Sequence, residues 1–287
     1  SRIDLLNELK KSKLIGQTSD GKKIYLYDYT EDSIVLKELG RLREVSFRKV
    51  GEGVNKKRDT DKYDIYYQHI ILWDENDLEI VGSYRVGNSD FIFKNIGVKG
   101  FYSNTLFKYN EEFTPYLKDS IELGRSFVQP KYWGTRALDY LWFGIGAYIK
   151  NNPNIKYMFG PVSISATLPT VAKDMMIFYY NHYYGNNENL IEPKVPYSYS
   201  NNLNEIKEIF DLNDKKKDFK FLKSTLANIG VSIPTLYKQY SDITEDNGIK
   251  FLGFNVDNNF ADCIDGFILV EVAKIKDNAR QRYINKV

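Results

Sequence analysis

Glu122 and Arg125 stand three residues apart in DSIELGRSFVQPKYWGTRALDYLWFGIGAYI (119–149), a β-rich run that passes through Pro130 and Gly134 into a Trp-containing helix. A carboxylate there can serve as a general base, and a guanidinium can grip an anionic partner through two parallel hydrogen bonds. An odd spacing on a regular strand sends two side chains to opposite faces, so the two residues need different partners. Candidates lie upstream: Arg43 and Phe47 in LGRLREVSFRK, Asp61 and Asp64 in a basic loop, and Arg85 in VGSYR. Asp61 and Asp64 can engage Arg43 and Arg85 and order that loop over a site. Glu122 can equally close a buried ion network with Arg43 or Arg85, so the residues alone leave structural and catalytic roles open.

Other reactive side chains carry weaker signals. HIILWD (69–74) has the His-x-x-x-x-Asp spacing of glycerolipid O-acyltransferases, yet an odd separation on a strand places His69 and Asp74 on opposite faces. His69 reads as a packing or hydrogen-bonding residue of the sheet, and His182 as a helix-surface residue. Cys263 has no base partner in the sequence, which argues against a nucleophile. Asp257, Asp262 and Asp265 lack calcium-loop spacing and read as turn residues. Ser163 and Ser165, at the end of a strand, read as turn formers or as contacts for substrate.

The elements that must position these groups follow from periodicity. A short helix is predicted over 5–11 and a strand over 23–27. Ser33 or Asp32 can cap a helix over 33–50, with Val35, Leu39, Leu42 and Val45 near helical spacing. GEGVNKKRDTDKYD is a loop, and IYYQHIILW and EIVGSYRV form an antiparallel pair across a turn. The third strand is 120–128. Leu138, Leu141, Trp142, Ile145 and Ile149 make one apolar stripe of the helix that follows it. IKYMFGPVSIS is a fourth strand, a helix opens near Pro169, and residues 185–202 form a lid-like polar excursion. A helix near 215–230 and two late strands join the same sheet. The fold class is α+β, three-layered, with a central mixed and mostly antiparallel sheet flanked by helices. The divisions are 1–32 as an N-terminal extension, 33–184 as the core and 185–287 as a C-terminal part of the same domain.

At 287 residues and 43% hydrophobic content the chain can bury a sizeable core. Forty basic against 38 acidic residues leave a net charge of +2, which argues against a nucleic-acid binder. One cysteine excludes an intrachain disulfide and any Cys-x-x-Cys metal site, in keeping with a reducing, cytoplasmic setting. No apolar run is long enough to span a bilayer and no signal peptide is legible, so lipid contact, if made, is peripheral.

The ordered framework of Arg43, Phe47, Asp61, Asp64, Arg85, Glu122 and Arg125 resembles the acyl-homoserine-lactone synthases, which are GNAT-type acyltransferases. LGRLREVSFRKVGEG, YWGTRALDYLWFGIGAYI, FGPVSIS, PTLYKQY and DCIDGFILV are more similar still to the hemolysin-like branch that holds the ornithine-lipid and other amino-acid N-acyltransferases. Some members follow a lysolipid O-acyltransferase domain, which would explain a start at Ser1 rather than Met if this chain is an excised half.

The resemblance implies transfer of a 3-hydroxyacyl chain to the α-amine of an amino-acid acceptor such as ornithine or glycine, giving a lyso-aminolipid. It implies that strands 120–128 and 157–165 splay around the pantetheine arm, with a main-chain N–H near Phe127 or Val128 facing the thioester carbonyl and Ser163 beside it. The helix near Gly134 and Arg136 would receive the phosphate. Glu122 is then the base and Arg85 or Arg125 the holder of the acceptor carboxylate. VQPKYWGTRA departs from the usual phosphate loop, which favours acyl carrier protein as donor, with acyl-coenzyme A the alternative. No permanently bound cofactor or metal is implied. Lys49, Lys56, Lys57, Arg58, Lys131 and Arg136 are the docking candidates for that acidic carrier. Aromatics near 132–148 and 178–184 are candidates for an acyl tunnel. The rival readings are a lysolipid O-acyltransferase and a non-catalytic, membrane-binding hemolysin.

Overall fold

The computed structural model describes residues 1–285. Helix α1 (Arg2–Leu9) is capped by Ser1 and leads into strands β1 (Lys13–Gln17) and β2 (Lys23–Tyr27). β1 has no apolar alternation, because it is a mostly exposed edge strand with only one neighbour. Helix α2 (Ile34–Lys49) starts where the Ser33 hydroxyl accepts from the Leu36 amide, and it buries Val35, Leu39 and Leu42 but leaves Val45 exposed. β3 (Gln68–Asp74) and β4 (Glu79–Asn88) form the expected antiparallel pair. α3 (Ser89–Asn95), β5 (Phe107–Tyr109) and α4 (Thr114–Leu117) then lead to β6 (Ser120–Val128) and α5 (Ala137–Asn151). β7 (Tyr157–Ile164), α6 (Thr170–Tyr184) and β8 (Ile191–Pro193) follow, with β8 pairing β5 in a small second sheet. α7 (Leu203–Glu208), α8 (Lys215–Asn228) and α9 (Thr235–Asp242) precede β9 (Ile249–Asp257) and β10 (Cys263–Glu271).

The eight-stranded sheet runs β1-β2-β3-β4-β6-β7-β10-β9. Every pair is antiparallel except β6 with β7, so the sheet is mixed and mostly antiparallel, with helices on both faces. On one face Leu141, Trp142 and Ile145 of α5 pack against Ile70, Leu72 and Val81. On the other, Leu39 and Leu42 of α2 meet Ile71, Trp73 and Ile80, while Phe159 and Phe267 pack under the 101–117 segment. Among the described residues no helix is long and apolar enough to cross a membrane.

The parallel contact is short, and the site depends on that. Its pairs are Ser120–Tyr157, Ile121–Met158 and Glu122–Phe159, after which the two strands part. Gly160 marks the parting point with φ +152°, and a Cβ there would lie 2.0 Å from the Leu123 carbonyl oxygen. Gly160→Ala should therefore cost about 2–4 kcal/mol by combined backbone strain and overpacking, read as a lowered urea midpoint. An unchanged midpoint would mean that the junction yields easily.

Candidate active site

Between the diverging strands lies a cavity of about 460 Å³. Gly124 to Val128 of β6 form one wall and Pro161 to Ser163 of β7 the other. Phe47 and Phe260 meet edge to face at 5.2 Å, and both line it. The apolar lining is continued by Leu168, Ile233, Pro234 and Leu236, and by Trp133, whose indole N–H donates to the Val128 carbonyl at 2.8 Å. Of the aromatic groups expected along a tunnel, Trp133 reaches the cavity. Tyr179 and Tyr180 instead pack in the core around α6.

β6 is not regular, and this overturns the strand-parity argument. The register steps from Gly124–Arg85 to Phe127–Ser83, so Arg125 and Ser126 together stand opposite Tyr84 in a β-bulge. Arg125 takes φ +47°. The extra residue turns the Arg125 guanidinium to the face that Glu122 and Arg85 occupy, where it lies 4.6 Å from the Tyr102 ring and 5.0 Å from that of Phe260. Its Nη1 donates to the Tyr102 hydroxyl at 3.0 Å, and its Nε pairs with Asp59 at 3.1 Å. Among the described residues Arg125 is the one basic side chain in the cavity lining.

Behind the cavity the other charges form a closed network. Asp64, fully buried, pairs with Arg43 at 2.8 Å and Arg85 at 3.1 Å, and Arg85 also meets Asp61 at 2.6 Å. Burial opposes ionisation of Asp64, but the Arg43 and Arg85 guanidinium groups overcome it and hold the carboxyl well below the usual range. Arg43 can only donate, so His69 Nδ1 accepts from it at 3.2 Å and Nε2–H points to the Asp64 carbonyl at 3.2 Å. Burial, aided by Arg43, lowers the His69 pKa to about 4 and keeps the ring neutral. Asp74 is engaged elsewhere, accepting from the Asn76 and Asp77 amides.

Glu122 pairs with neither Arg43 nor Arg85. One oxygen accepts from the Ser103 amide at 2.7 Å, the other from the Tyr102 amide at 3.1 Å and from the Tyr67 hydroxyl. It is 2% exposed and absent from the cavity lining, so it ties the 101–103 turn to β6 with no oxygen turned to a substrate. Gly134 and Arg136 also lie outside the lining, at the N-terminal end of α5. Arg136 pairs with Asp139 at 3.1 Å, and Lys131 pairs with Asp77 at 2.7 Å and with Glu79, which offsets the charge of both docking candidates.

Two carboxyl groups in the lining are not marked by sequence spacing. Asp265 is no turn residue but a buried member of β10, and Glu52 sits half-buried just after α2. Burial pushes both up to about 7, helped for Glu52 by the nearby Asp265 and for Asp265 by Asp257. A charged residue inside the apolar run CIDGFILV is the local signal that could have singled out Asp265.

Residues 42–143 match the acetyltransferase (GNAT) domain family. The chain is 31% identical to glycine N(alpha)-acyltransferase of Phocaeicola vulgatus, over 99% of this chain and 90% of that protein. It is 34% identical to L-ornithine N(alpha)-acyltransferase of Rhizobium meliloti over 45% of this chain and 44% of that protein. A solved CoA-dependent acyl-homoserine lactone synthase, MesI, overlays 87% of this chain and 85% of that one at 11% identity and a TM-score of 0.37, a likeness from which nothing further follows. Splayed strands, a bulged β6 and near full-length similarity to one relative converge on a single assignment: the chain is an acyltransferase and belongs to the GNAT-type N(alpha)-acyltransferase family.

Proposed function

We propose that the protein transfers a long acyl chain from the phosphopantetheine arm of acyl carrier protein to the α-amine of a small amino acid, glycine before others, releasing an N-acyl amino acid that serves as a lyso-aminolipid. The observation that carries this reading is the cavity at the β6–β7 parting, with Arg125 as its basic lining group. A thioester arm laid between the strands would bring its carbonyl to the main-chain N–H groups near Phe127 or Val128, where preorganised donors stabilise the tetrahedral oxyanion. Its phosphate would lie toward Gly134 and Arg136 at the start of α5. The acyl chain would run along Leu168, Ile233 and Leu236. Arg125 would hold the acceptor carboxylate, and Ser163 stands on the opposite wall.

The carrier is supported by charge. Val50 and Glu52 line the cavity, and Lys49, Lys56, Lys57 and Arg58, close to them in the sequence, are exposed basic residues that an acidic protein could engage. Mass spectrometry after incubation with a 3-hydroxyacyl carrier protein and a panel of amino acids tests the reading. N-acylglycine as the main product is expected. Consumption of the thioester only with a lysolipid would replace it with the O-acyltransferase reading, and no consumption with any acceptor would replace it with the non-catalytic one.

A further inference from the structure

Three side chains from distant parts of the chain meet at the cavity and leave proton-accepting atoms unused. Ser163 and Asp265 are direct partners across the β7–β10 ladder, and the Ser163 hydroxyl donates to Asp265 Oδ1 at 2.7 Å. Asp265 is only 3% exposed, yet it lines the cavity, and its Oδ2 takes no hydrogen bond from the described residues. Glu52 lines the same cavity, and its carboxyl has no hydrogen-bond or ion-pair partner among the described residues. Arg125 completes the set on the β6 wall.

Resting on the function proposed above, we infer that Asp265 is the general base that deprotonates the acceptor's α-ammonium, with Ser163 orienting its carboxylate and Glu52 passing the proton to solvent. The arrangement suits a zwitterion, since Arg125 can face its carboxylate while Asp265 and Glu52 face its ammonium. The Asp265 carboxylate takes one proton from the ammonium. The freed nitrogen lone pair forms the C–N bond to the thioester carbon. The oxyanion then collapses, the C–S bond breaks, and the departing thiolate takes the second proton from nitrogen. Asp265 returns its proton through Glu52 to water, which closes the balance. Glu122 cannot fill this role, because its oxygens are bound to Tyr67 and to the amides of residues 102 and 103.

Burial of both carboxyls poises them near neutrality, which matches a base working at ordinary pH. The charged and titratable groups acting on Asp265 are Arg125 on β6, Glu52 after α2, Asp257 on β9, Cys263 on β10, Tyr237 on α9 and Tyr102. Arg125 favours its ionised form, and Asp257 and burial oppose it.

The test follows thiol release from acyl carrier protein with glycine across a pH series. Asp265→Asn is expected to lower kcat about 100-fold or more while KM for the acyl carrier protein stays unchanged. Asn accepts the Ser163 hydrogen bond and removes a desolvated charge, so the variant is expected to fold. Ser163→Ala should move the acidic limb of the kcat profile to higher pH, because the carboxylate loses a donor that favours its ionised form. Glu52→Gln should lower kcat by less than Asp265→Asn and recover with added imidazole. An Asp265→Asn kcat within about threefold of the parent would overturn the assignment while leaving the acyltransferase reading intact. Should that variant fail to fold, an unmoved acidic limb in Ser163→Ala overturns it instead. A parent that acylates no amino acid removes the functional reading and this inference with it.

Discussion

Asp64→Asn should lose about 3–5 kcal/mol of folding stability, the cost of leaving buried charge without its partner. Asp64 is the only ion-pair partner of Arg43 among the described residues, and both side chains are fully buried. Arg85 retains Asp61, so the orphaned charge is that of Arg43. Adding Arg43→Met should recover part of the loss, because it removes the unpaired guanidinium. Urea denaturation of the single and double variants checks this, and a loss below about 1 kcal/mol would mean that water reaches the pair. The pH dependence has a definite sign. The folded Asp64 carboxyl titrates below its unfolded value of 3.8, so its stabilisation is present above that pH and is lost as pH falls below it. The gap between parent and Asp64→Asn should therefore close below about pH 4.

Arg125→Lys should lower kcat/KM for the amino acid by about 10- to 100-fold, with most of the loss in KM. A guanidinium can pair with Asp59, donate to the Tyr102 hydroxyl and still offer a planar N–H edge to a carboxylate. An ammonium has three donors on one atom and cannot serve these directions together. Steady-state rates over a range of glycine concentrations separate the two parameters. A KM equal to that of the parent would show that the acceptor carboxylate is held elsewhere. KM for the acyl carrier protein should change little, since Arg125 lies on the acceptor side of the proposed reaction.

The register of β6 explains why Arg125 is hard to place in advance. Spacing rules assume that a strand alternates without interruption, and a single bulge residue reverses the parity of everything beyond it. Glu122 is obscured for a different reason. Its partners are two backbone amides and a tyrosine hydroxyl, and backbone amides carry no residue-type signal. Asp265 and Glu52 become neighbours only when β10 enters the sheet beside β7 and the loop after α2 closes over the same gap.

The features legible in advance are local or periodic. Helix α2 and its Ser33 cap, the β3–β4 pair, β6, the apolar stripe of α5 and the late strands all follow from side-chain period and capping chemistry. The set of charges around Arg43, Asp61, Asp64 and Arg85 was marked by the resemblance of their order and spacing to a known family, and the structure brings them together as ion pairs. The tertiary structure alone decided which of these charges face a cavity and which lie behind it. That depends on one bulge, on one glycine at the strand parting, and on contacts between segments far apart in the chain, whose geometry no local pattern encodes.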